Sequence, residues 1–351
     1  MTMKVFDGHN DVLLRLFEKS SNNPEIDFLR GDGEGHLDFP RMKQSGFSGG
    51  IFAIYIPNEN GLENLHDLMV GEAFDVPLAD EIDCNSAMPI AMGMAGILNK
   101  IERYSEGQFK ICRSVQEIEK CFSQNTIAAV LHMEGAEAIG PDLNALEVFY
   151  AAGLRSLGPV WSRPNIFGHG VPFKFPSTGD TGPGLTDIGG ALVRECNQLG
   201  VAIDLSHITE KGFWDVAGIS DMPLIASHSN PYALCKSSRN LTDKQLAAIA
   251  ERGGIVGLNF ATCFLNENGQ GDTSQSIEIM IRHLDYLIEK LGEDHVGLGS
   301  DFDGADVLDE IGDVAGLPTL VEAMRRHGYD EPLLRKIANE NWLKVLAKCW
   351  D

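Results

Sequence analysis

Residues Val201–His207, VAIDLSH, form a short apolar run that ends in an imidazole. The same arrangement recurs at 5–11 (VFDGHND), 127–135 (IAAVLHMEG), 223–229 (PLIASHS) and 296–304 (VGLGSDFDG). Runs this short and continuously apolar, without alternation, suit parallel strands covered on both faces. Further runs at 49–56, 154–160 and 254–260 bring the expected strands, 4–9, 49–56, 127–133, 154–160, 201–207, 223–228, 254–260 and 295–300, to eight. Stretches with helical periodicity lie between them. Residues 187–199 open at an Asp cap and precede Gly200, 242–252 begin at Thr242, and 276–291 begin at Ser276 and stop before Gly292. Eight strands with helical crossovers predict a (β/α)8 TIM barrel in a single domain spanning 1–351. A doubly wound sheet is disfavoured because no GxGxxG turn follows the first strand.

A barrel of this kind gathers the carboxyl ends of its strands at one mouth, where barrel enzymes keep their reactive groups. His9, Asp11, Glu134, His207, His228 and Asp301 would therefore converge. Three imidazoles and three carboxylates in one place suit two divalent metal ions. His9 and Asp11 are two apart and share a strand face, with Asp7 on the same parity as support. Glu134 needs a partner to offset its burial, and a position between two ions supplies one. His132 competes with Glu134 for that place. Asp301 is placed to move a proton, with Asp303 as its neighbour, and Arg239 in KSSRNLTD is placed to bind a carboxylate. Each residue taken singly also has a structural reading, as a cap, a polar turn or a salt bridge. His36, His66, His283, His295 and His327 fall in loops or helices and carry no expected role.

Composition narrows the field. With 51 acidic against 28 basic residues, the formal charge of −23 argues against nucleic acid or an anionic membrane as partner. No apolar stretch is long enough to span a membrane. MTMKVFDGHND runs directly into the first strand, so no signal peptide is expected. Seven cysteines without a CxxC pair read as reduced thiols in a cytoplasmic protein. Two connections exceed ordinary length. Residues 57–126 contain an expected helix near 78–105, and 161–186 are rich in Gly, Pro and aromatics; both are extended loops at the C-terminal face, where specificity is set. Residues 331–348 read as an amphipathic helix packed on the barrel.

DGHND at 7–11, MEG at 133–135, IDLSH and SHS at 203–207 and 227–229, SSRN at 237–240, GSDFDG at 299–304 and NENWLKVL at 339–346 together resemble the membrane (renal) dipeptidase family of zinc peptidases, a branch of the amidohydrolase superfamily. The resemblance implies two Zn2+ ions, one on His9 and Asp11, the other on His207 and His228, with Glu134 bridging them. It implies hydrolysis of dipeptides, L-Xaa-D-Xaa substrates included, through a hydroxide shared by the metals. Asp301 would meet the substrate amine and relay the proton, and Arg239 would take its carboxylate. A homodimer is implied as well. One departure stands out. Relatives carry a substrate-contacting histidine after strand four, where LGPVWSRPNIFGHG (157–170) has Trp161. His169 is the first candidate to replace it, followed by Arg163 and the Trp161 indole itself. The competing readings are another binuclear amidohydrolase, acting on N-acyl-amino acids, lactones or cyclic amides, and a non-catalytic metal-binding barrel.

Overall fold

The computed structural model describes residues 3–58 and 68–350, so His66 lies outside the described residues. Eight parallel strands make the ring: β1 (Val5–Asn10), β2 (Phe47–Tyr55), β3 (Ile127–Glu134), β4 (Leu154–Gly158), β5 (Ala202–Ile203), β6 (Ile225–Ala226), β7 (Ile255–Asn259) and β8 (Val296–Gly299). Hydrogen bonding runs in the order β5-β4-β3-β2-β1-β8-β7-β6. Between β5 and β6 the ring is closed by the bridge Asp204↔Ile225 and by Leu205 N donating to Ile225 O at 2.8 Å. This is the (β/α)8 barrel, with all eight strands where the apolar runs place them. A short extra strand, Phe109–Ile111, pairs with the first residues of β3 and was not expected.

Every residue of β3 is buried, and successive residues belong to different cores. Ala128 and Val130 join Phe6, Ile51, Ala202, Ile225 and Ile255 inside the ring. Ala129 and Leu131 instead meet the helices outside it. That period of two is why both faces of a strand are apolar.

The crossover helices follow their caps, with local differences from expectation. Helix Asp187–Leu199 is capped by Thr186, not by Asp187; the Thr186 hydroxyl accepts from Gly189 N at 3.0 Å. Asp187 already lies in the first turn, where its charge complements the helix dipole. Thr242 and Gln245 form a reciprocal capping box on Asp243–Glu251. The third helix starts at Glu278, two residues after Ser276. The expected helix near 78–105 is Cys84–Tyr104, begun by Asp83 accepting from Asn85 N and Ser86 N.

The C-terminal segment is helical throughout, with a π turn at Lys336–Glu340 between Glu331–Arg335 and Asn341–Trp350. Its Trp342 is fully buried among the inner residues of the ring. The long loops after β2 and β4 meet as the antiparallel pair Phe74–Asp75 and Lys174–Phe175. They bring Met69, Trp161 and Phe173 against Phe264 in a small apolar cluster of their own.

Candidate metal centre

Each ionisable residue of the mouth is delivered by a strand end. His9 is the penultimate residue of β1, and Asp11 sits just beyond the strand, preceding the helix Val12–Glu18. Asn10, between them, is the last residue of β1 and bridges Phe302, so His9 and Asp11 flank an extended, paired residue. Asp11 Oδ2 lies 3.3 Å from His9 Nε2. Glu134 ends β3, while His207 and His228 follow β5 and β6 by four and two residues.

Glu134 Oε1 lies 3.4 Å from His9 Nε2, 3.0 Å from His207 Nε2 and 3.4 Å from His228 Nε2. The two latter nitrogens are 3.0 Å apart. Asp301 joins His9 and Asp11 in a group whose ligand atoms all lie within 4.8 Å of one another. All six residues are at least nine-tenths buried.

This donor set fits cations. His9 Nδ1 and Nε2 and Asp11 Oδ1 are buried without a hydrogen-bond partner, an arrangement that is costly unless something else satisfies them. The Nε2 atoms of His207 and His228 converge with that of His9 on one carboxylate oxygen, as ligand atoms around a cation do. Gly304 keeps the space open, since a Cβ there would lie 2.2 Å from Asp11 Oδ2 and 2.6 Å from Asp301 Oδ1. Electrostatics agree. Burial disfavours a charged His9, yet Glu134 and Asp11 outweigh it and raise its pKa to about 10. Burial, with Arg239 and His9 nearby, pushes His207 and His228 well down, leaving neutral imidazoles able to ligate. Burial raises Glu134 well above the carboxylate range, with the positive charge of His9 opposing.

Asp301 has φ 59°, the left-handed region that a non-glycine residue enters at a cost. It is held there by its N–H donating to His9 O at 3.1 Å and by Asn259 Nδ2 donating to its Oδ2 at 2.9 Å. Asp7 supports it from behind, accepting from Ser300 N at 2.7 Å and Ser300 Oγ at 2.8 Å. Asp303 turns away to Arg15 and to His36 N. His132 lies beneath the group, edge-on to His9, with its Nδ1 2.9 Å from Ser156 Oγ.

Arg239 is buried behind the two imidazoles. Its Nη1 donates to Ser206 O, and its Nη2 donates to His228 O at 3.2 Å and lies 3.3 Å from His207 Nε2. Its Nε has no partner. A cavity of about 280 Å³ opens over the centre, with Glu134, His207, Asp301 and Trp161 on its wall. Trp161 tilts over His207 with ring centroids 5.6 Å apart and packs edge-on to Tyr55 and Phe173. His169 is not on that wall; it faces Gly184 O at 3.3 Å. Arg163 is also engaged elsewhere, with Glu137 at 2.9 Å, Asn58 and Ile56 O.

Sequence reasoning passed over Asn259, Ser162 and Ser227. Asn259 closes the apolar run VGLN and carried the same positional signal as the named residues. The two serines bond the Nδ1 atoms of His207 and His228, both at 2.8 Å, and had no signal of their own.

The family model of the membrane dipeptidases, peptidase family M19, matches residues 1–350. A metallopeptidase from Rhodobacter sphaeroides, solved with a phosphinate mimic of the dipeptide L-Ala-D-Ala, is 55% identical, with a TM-score of 0.98 over 100% of both chains. A Klebsiella pneumoniae protein of the pqqA 5′ region is 48% identical over 73% of this chain and 94% of its own. Dipeptidase tcpJ of Claviceps purpurea is 26% identical over 98% of this chain and 77% of its own. The chain belongs to the membrane dipeptidase family, peptidase family M19, and is a metallodipeptidase on a (β/α)8 barrel.

Proposed function

We propose that the centre holds two divalent cations, Zn2+ above all, and that the protein cleaves dipeptides of L-Xaa-L-Xaa and L-Xaa-D-Xaa type. The observation that carries this reading is Glu134 Oε1 within 3.4 Å of three imidazole Nε2 atoms. His9 and Asp11 would hold one ion and His207 and His228 the other, with Glu134 between them. Ions so held polarise the scissile carbonyl and lower the pKa of the attacking water. The rest falls to the protein. Asp301 accepts the proton of the attacking water on a carboxylate oxygen and returns it to the departing amine nitrogen. Burial raises its pKa, which suits a group that must both take and give.

Asp11 and Asp301 make the mouth acidic where the substrate ammonium would sit. Arg239 is not on the cavity wall, and only its Nε is without a partner, so its guanidinium would act on the substrate carboxylate as a positive charge behind His207. Trp161, with Phe173 and Phe264, walls the cavity with apolar surface that excludes water. The Trp161 side chain is on the wall where His169 is not, and we assign its indole N–H the role of donor to the carbonyl oxygen. The small L-Ala-D-Ala mimic bound by the Rhodobacter protein supports short substrates with a D-residue.

The whole chain would act as one catalytic domain. A cytoplasmic site is supported by seven unpaired thiols, six of them buried, and a homodimer by the family resemblance. Among the described residues no helix is long and apolar enough to cross a membrane.

The test is amine release from a dipeptide library by chelator-stripped protein, before and after addition of zinc. Activity should be absent in the stripped protein, return at two equivalents of zinc, and vanish on substrates with an acetylated N-terminus. Equal rates on the acetylated substrates would move the enzyme to a broader amidohydrolase class.

A further inference from the structure

We infer that Asp204 is a positioning residue for the centre, acting through Ser227 to fix which nitrogen of His228 faces the metals. The inference rests on His228 being a ligand, as proposed above. Asp204 follows β5, and its carboxylate is buried. Its Oδ1 accepts from Ser206 N at 3.2 Å, Ser206 Oγ at 2.7 Å and Ser227 N at 2.8 Å. Its Oδ2 accepts from Ser227 Oγ at 2.5 Å. A carboxylate only accepts, so the single proton of the Ser227 hydroxyl is committed to Asp204. That oxygen is then an acceptor toward His228 Nδ1 at 2.8 Å. The proton of the neutral imidazole must sit on Nδ1, and the lone pair of Nε2 is left facing Glu134 and His207. Such outer partners orient ligating histidines and raise their basicity.

The neighbouring imidazole is held differently. His207 Nδ1 meets Ser162 Oγ at 2.8 Å, and among the described residues no carboxylate stands behind that hydroxyl. Ser162 is free to donate or accept, so it restrains the tautomer of His207 less. The two imidazoles of one metal position are therefore unequal.

Asp204 also sits where the ring closes. β5 and β6 are two residues each. Beyond them Ser227 N donates to Asp204 Oδ1, and His228 N donates to Ser206 Oγ at 3.2 Å. Side chains carry the ladder at that seam, and the same carboxylate sets the ligand.

The experiment compares D204N, S227A and S162A in the full-length protein, using zinc competition against a chromophoric chelator and the melting temperature of the metal-free form. In D204N the amide oxygen must face the three donors of Ser206 and Ser227. Its NH2 then turns to Ser227, whose hydroxyl is driven to donate to His228 Nδ1 and move the proton to Nε2. D204N and S227A should each hold one of two zinc ions roughly 10- to 100-fold more weakly, and S162A should lose less than either. Excess zinc should restore turnover in S227A, which a general structural defect would not allow. S227A keeps the bonds of Asp204 to Ser206 and to Ser227 N, so it decides the matter if D204N fails to fold. Two ions held as tightly in folded S227A as in the wild type would overturn the inference. A wild type that binds no zinc would instead overturn the binuclear reading on which it rests.

Discussion

The two ends of this barrel are built from the same eight strands and have opposite chemistry. At the carboxyl end the strands finish in His9, Glu134, Asn259 and, just beyond, His207, His228 and Asp301. At the other end the ring is filled by Phe6, Ile51, Ala128, Ala202 and the indole of Trp342. Trp342 fits because its neighbours are glycines: a Cβ on Gly8 would lie 2.3 Å from its Cζ2, and one on Gly297 2.4 Å from its Nε1. Its one polar atom is satisfied by Leu298 O at 2.9 Å. One end is closely packed with its polar atom bonded. The other leaves buried donors and acceptors unpaired around an open cavity. Stability belongs to the first and chemistry to the second.

The sharpest way to break that division is Asp301→Asn. Asparagine tolerates the left-handed backbone that Asp301 occupies, so the fold and metal content should survive. Turnover should fall by about 10²- to 10⁴-fold, the range for loss of a positioned proton acceptor. Normal rates with metal bound would remove Asp301 from the chemistry. Trp342→Ala should act at the other end. Emptying a buried Trp site costs about 3–5 kcal/mol, read as a lower denaturant midpoint, while turnover per folded molecule stays close to wild type. Loss of turnover without loss of stability would show that the packed end governs the mouth after all.

The barrel was legible because buried parallel strands are continuously apolar, and the mouth because an ionisable group ending such a run stands out. What escaped was set by tertiary contact. Asp204 and Ser227 sit inside the quoted motifs, yet a serine after a strand is unremarkable until the carboxylate behind it is seen. The aromatic wall comes from separate loops, Trp161 and Phe173 after β4 and Phe264 after β7, which no local pattern joins. Trp342 read as part of an amphipathic helix, since nothing in 331–348 says that one side chain enters the ring.

The smallest effect concerns a histidine at neither end. His283, on the helix Glu278–Leu291, is buried in the outer layer with its Nε2 2.9 Å from Leu265 O. Burial lowers its pKa from 6.5 to about 4, although the bond to Leu265 favours the cation. Between those two values the unfolded chain takes up a proton that the native protein refuses. Stability from this group is therefore complete above pH 6.5, declines as pH falls toward 4, and changes no further below that. Its limiting slope is about 1.4 kcal/mol per pH unit. His283→Gln keeps a side-chain N–H for Leu265 O and cannot titrate. Unfolding free energies from urea titrations of the two proteins between pH 7 and pH 4 share every other group, so the wild-type curve should fall more steeply by up to that slope. Parallel curves would mean that His283 is solvated before it is protonated, and that burial in the outer layer is looser than at the packed end of the ring.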